Sequence, residues 1–120
     1  MGRPTHLGAV GAGQATKLAN QLIVATTIGA VAEGLRLAEA AGCDPASVRA
    51  ALMGGFADSR ILELHGARMV AGDYTPGGRS AAQLKDIVNA LAVAQERGLD
   101  LPLAKTVEAG FRDLVERHDG

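Results

Sequence analysis

Apolar side chains crowd most densely between Leu22 and Leu35, where Leu22, Ile23, Val24, Ile28, Val31 and Leu35 surround most of a helix rather than forming one stripe. From Gln14 to about Ala41 the chain holds no proline and only Gly29 and Gly34 as weak points. One helix of about 28 residues, roughly 42 Å long, fits this span. A helix apolar on nearly all sides is expected to be covered on nearly all sides, which makes it the central helix of the fold. Ala25, Gly29, Ala30, Ala32 and Gly34 are small and permit close approach by a second helix, including one from another subunit. Gly42 is the expected C′ residue that stops it.

Beyond Gly42 the pattern shortens. Asp44 and Pro45 read as N-cap and first residue of a short helix through about Met53. The stretch "GGFADS" (54–59) breaks that helix, and Asp58 or Ser59 can cap the next, with Ile61, Leu62, Leu64, Met69 and Val70 as its apolar positions and Gly72 at its end. "DYTPGG" (73–78) is a loop by composition. Ser80 is placed to cap a helix to about Arg97, in which Leu84, Ile87, Val88, Leu91 and Ala94 recur at spacings of three and four, with Gly98 as its stop. Pro102 opens a last amphipathic helix with Val107, Phe111, Leu114 and Val115 facing inward. No alternating strand pattern of useful length occurs, so the class is all-α with about five helices.

A chain of 120 residues fits one small domain. The formal net charge of −1, with acids and bases interspersed, leaves no basic patch for nucleic acid or an anionic membrane. Tyr74, Phe56 and Phe111 are the only aromatic residues, too few for a base-stacking surface. Cys43 is the single cysteine, so no internal disulfide forms and a cytoplasmic location is expected. The longest apolar run, around Leu22 to Ala32, is shorter than the roughly 20 residues needed to span a bilayer, so no membrane association is expected. His6, His65 and His118 lack metal-ligand spacing, and no metal is expected.

The glycine-rich opening, "GAVGAGQATKLANQ" (8–21), invites two phosphate-binding readings, and both fail. A Walker A loop needs Gly-Lys-Ser/Thr in succession, whereas Lys17 lies four residues past Gly13 and precedes Leu18. A dinucleotide fingerprint at Gly11 and Gly13 lacks its third glycine and its preceding strand, and Glu33, 20 residues on, falls within the long helix. The polar residues follow a different order: at about 100° per residue, Gln14, Lys17 and Gln21 fall within an arc of about 60°, with Asn20 about 60° to the other side of Lys17. They form one polar stripe at the start of an otherwise apolar helix. Periodicity by itself fits either a solvated helix start or a site.

Gly8, Gly11, Gly13, Lys17, Asn20 and Gln21, spaced G-x-x-G-x-G-x-x-x-K-x-x-N-Q, resemble the catalytic-lysine signature of the β-hydroxyacid dehydrogenases, the family of 3-hydroxyisobutyrate dehydrogenase and tartronate semialdehyde reductase (2-hydroxy-3-oxopropionate reductase). "HLG" (6–8) resembles that family's lead-in from its nucleotide domain, "GGFADS" resembles its reductase branch, and "LKD" (84–86) resembles a second signature. One position departs: Gly78 follows Pro76-Gly77 where the family commonly carries phenylalanine, with Tyr74 nearby in sequence.

The resemblance implies a helical bundle like the C-terminal domain of 6-phosphogluconate dehydrogenase, with one long central helix. Residues 1–120 would then be the C-terminal catalytic-lysine and dimerisation domain, the N-terminal Rossmann domain being absent from this chain. Lys17 is implied as the general acid/base, and a position near the start of a helix, partly desolvated, is expected to lower its titration. Asn20 and Gln21 are implied at the substrate, a short hydroxyacid or semialdehyde, and Lys85 at the NAD or NADP cofactor. Asp86 is expected to support the fold or to pair with Lys85. A homodimer or higher homo-oligomer is implied, and the fragment alone is expected to be inactive. Two rivals are a helical dimerisation or interaction module without catalysis, and an imine reductase-like relative, which typically lacks this lysine.

Overall fold

The computed structural model describes residues 8–71 and 79–118. Among these residues there are five helices and no strand: α1 (Gly8–Ala40), α2 (Pro45–Leu52), α3 (Arg60–Val70), α4 (Arg79–Glu96) and α5 (Pro102–His118). The all-α class expected from the pattern is the class observed.

Helix α1 starts earlier than expected. Its 33 residues take in the glycine-rich opening, so Gly11 and Gly13 are helical rather than part of a loop. Alanine at positions 9, 12 and 15 supplies strong helix formers between the glycines, and no proline interrupts the run. The helix ends as the glycine signal predicts. Gly42 adopts φ 94°, its N–H donates to the Glu39 carbonyl (3.0 Å), and the Cys43 N–H donates to the Ala38 carbonyl (2.9 Å). This is a Schellman pattern, and its positive φ suits glycine. Helix α4 ends in the same way at Gly98, where the Gly98 N–H donates to Gln95 (3.1 Å) and the Leu99 N–H to Ala94 (2.8 Å).

The caps divide cleanly between the two candidates at 58 and 59. Asp58 holds the turn before α3: its carboxylate accepts from the Gly54 N–H and the Ser59 N–H, both at 2.7 Å. Ser59 is the N-cap, its hydroxyl accepting from the Leu62 N–H at 2.9 Å. Asp44 caps α2 as expected, accepting from the backbone N–H (3.2 Å) and the hydroxyl (3.0 Å) of Ser47. Ser80 does not cap α4, because the helix already includes Arg79. Helix α3 closes at Ala71, and the expected stop at Gly72, like the 73–78 loop with Tyr74 and Gly78, lies outside the described residues.

The chain divides into two compact units, Met1–Ala25 with Gly77–Gly120, and Thr26–Pro76. In the first, α4 packs along α5 and buries Ile87, Ala90, Ala94, Ala104 and Phe111, while Ala25 on α1 is also fully enclosed. Leu114, expected to face inward with Val107, Phe111 and Val115, is more exposed than those three, and Leu103 in the first turn of α5 is more exposed still. In the second unit α2 packs against α3 and Leu35 and Leu62 are buried, whereas Leu64, expected among the packed positions of α3, is half exposed.

Within this chain α1 is not covered on nearly all sides. Among the described residues Ala25 and Leu35 are its buried apolar residues, while Ile23 is 61% and Leu37 73% exposed. The short helices bury their apolar stripes against one another and leave much of α1 open. From Gly13 to Ala40 it is long and apolar enough to cross a membrane by length and composition, contrary to the expectation that no segment reaches that length; core helices of soluble proteins have the same profile.

Candidate functional site

The polar stripe exists as a regular helical surface. Lys17 and Asn20 are exposed and Gln21 is half-buried, one to two turns before the enclosed Ala25. Among the described residues, a Cβ added at Gly13, one turn earlier, would meet no neighbouring atom within 4 Å. Three side chains able to donate hydrogen bonds therefore share one accessible stretch of helix, with the Lys17 ammonium supplying the charge.

The environment expected for Lys17 is different from the one observed. Because α1 begins at Gly8, Lys17 lies beyond the first two turns, outside the reach of the helix dipole. It is also exposed rather than partly desolvated within this chain.

Lys85 lies on α4, in the same compact unit as Lys17, and is exposed. Asp86 beside it is half-buried, and among the described residues no ion pair joins the two. Adjacent residues on a helix point about 100° apart, which is the physical reason the expected pairing does not form. An open groove of about 750 Å³ is lined by Val88, Leu91, Leu99, Asp100, Lys105 and Glu108 on α4, α5 and the turn between them. It contains none of Lys17, Asn20, Gln21 or Lys85, and the Lys105 ammonium is held by Asp100 at 2.6 Å. The polar stripe, with its accessible lysine, is the better candidate for chemistry.

A structural role that sequence reasoning did not assign belongs to Arg49. Its guanidinium reaches from α2 to two carbonyls of α3, donating from Nε to Leu62 (3.2 Å) and from Nη2 to Glu63 (2.7 Å). Gly66 is buried beneath it: a Cβ there would sit 3.3 Å from Leu62 Cδ1 and 3.5 Å from Arg49 Cδ. A glycine one turn after Leu62 in an otherwise regular helix was the available signal, since an interior glycine often marks a close approach.

Residues 11–120 match the family described as the NAD-binding domain of NADP-dependent 3-hydroxyisobutyrate dehydrogenase. The chain belongs to this family. Among its relatives, 2-hydroxy-3-oxopropionate reductase of Escherichia coli (strain K12) is 50% identical over 107 residues, spanning 89% of this chain and 37% of that protein. The probable 3-hydroxyisobutyrate dehydrogenase-like 1, mitochondrial, of Arabidopsis thaliana is 37% identical over 120 residues, covering 100% of this chain and 36% of the relative. The crystal structure of 3-hydroxyisobutyrate dehydrogenase from Salmonella typhimurium superposes with a TM-score of 0.87 at 29% identity, over 92% of this chain and 39% of that one. The chain thus spans little more than a third of the length of the relatives it matches.

Within the 3-hydroxyisobutyrate dehydrogenase family the cofactor is NAD(P). The exposed Lys85 ammonium suits a phosphate or a ribose hydroxyl. Among the described residues, all helical or in helix-linking turns, no strand leads into a glycine-rich turn that would hold a pyrophosphate.

Proposed function

We propose that this chain is the C-terminal catalytic-lysine and dimerisation domain of an NAD(P)-dependent β-hydroxyacid dehydrogenase or reductase, of the 2-hydroxy-3-oxopropionate reductase or 3-hydroxyisobutyrate dehydrogenase type. The observation that carries the reading is the accessible stripe of Lys17, Asn20 and Gln21 on α1, inside the family-matched residues 11–120. A nicotinamide cofactor, when bound, supplies or accepts the hydride. Lys17 handles the proton: in reduction Nζ donates it to the carbonyl oxygen of a semialdehyde, and in oxidation the neutral amine takes it from the hydroxyl. Asn20 and Gln21 orient the substrate by hydrogen bonds from their amides, and Lys85 meets the cofactor. The helical domain alone leaves Lys17 exposed, and substrate, cofactor and the rest of the enzyme close over the stripe.

The substrate is a short hydroxyacid or semialdehyde, and the protein is soluble, with α1 as a core helix of a homodimer or higher homo-oligomer. The uncovered Ile23 and Leu37 support that reading, because a second copy laid along α1 removes them from water. The test is a cofactor-absorbance assay with tartronate semialdehyde and related acids, on the full-length enzyme and on the 120-residue chain. Turnover by the full-length enzyme that requires Lys17, with no turnover by the fragment, is the expected result. Full-length activity indifferent to Lys17 would sink the assignment and favour a non-catalytic helical module.

A further inference from the structure

We draw no further inference here: the strongest candidate, the fully exposed Phe56 at the turn between α2 and α3 with the exposed Leu52 and Leu64 on those helices, is an apolar surface for which nothing in the structure shows what covers it.

Discussion

Helices α1 and α4 are both rich in Leu, Ile, Val and Ala, yet they end in opposite situations. In α4 the apolar stripe meets α5, so Ile87 is fully buried and Ala90 and Ala94 nearly so. In α1 the apolar residues go most of the way round, and Ile23 and Leu37 remain largely in solvent. A one-sided helix can be satisfied by one neighbour in its own chain; an all-round helix needs more neighbours than four short helices provide. The difference separates residues that hold the fold from residues available for a partner or a ligand. Lys17, Asn20 and Gln21 fall on the available side.

That separation breaks if Lys17 proves structural. In the full-length enzyme Lys17→Ala is expected to lower kcat by about 10²–10⁴-fold, the range for loss of a general acid/base, while Tm stays within about a degree of wild type. A falling Tm with a modest kcat loss would place Lys17 with the fold instead.

The complementary change is Ile87→Ala in α4, at the centre of the α4–α5 contact. Removing a fully buried isoleucine is expected to cost about 2–5 kcal/mol in denaturant unfolding, with little effect on the chemistry of the enzyme that remains folded. A loss below about 0.5 kcal/mol would mean that α4 and α5 are not held by this contact.

The uncovered side of α1 is probed by Ile23→Asp. An exposed position tolerates the change within the chain, but a carboxylate in a subunit contact loses its hydration, so dimer affinity is expected to fall at least about tenfold. Light scattering across a concentration series reads this directly. A wild-type chain that is monomeric at micromolar concentration overturns the dimer outright, and an unchanged dimer in the variant moves the contact away from Ile23.

Two smaller effects sharpen the picture. Lys85→Ala is expected to raise the NAD(P) dissociation constant of the full-length enzyme about tenfold, the equivalent of about 1.4 kcal/mol, measured by fluorescence titration. An unchanged constant with slower chemistry would assign Lys85 to the substrate. Arg49→Ala removes two hydrogen bonds from a part-buried guanidinium to the α3 carbonyls and is expected to destabilise by about 1 kcal/mol without altering cofactor affinity.

Local chemistry was legible at most places where a residue acts on its immediate neighbours along the chain, the start of α1 and the expected Ser80 cap being the exceptions. Gly42 and Gly98 stop helices because a positive φ is needed there, and Asp44, Pro45 and Pro102 start them because caps and fixed φ are local effects. The helical register that puts Lys17, Asn20 and Gln21 together is equally local, and with the family's spaced motifs it marked the candidate site. What sequence alone could not determine was which apolar faces find a partner. Hydrophobicity states that Leu62, Leu64, Ile87 and Ile23 avoid water, but only the packing of α2 on α3 and of α4 on α5 decides that Leu62 and Ile87 succeed while Leu64 and Ile23 remain exposed. The same holds for Lys17, whose exposure depends on what covers it, and for Arg49, whose carbonyl partners lie 13 and 14 residues away in the chain. Burial and long-range hydrogen bonding depend on tertiary neighbours, and no periodicity along the chain encodes those directly.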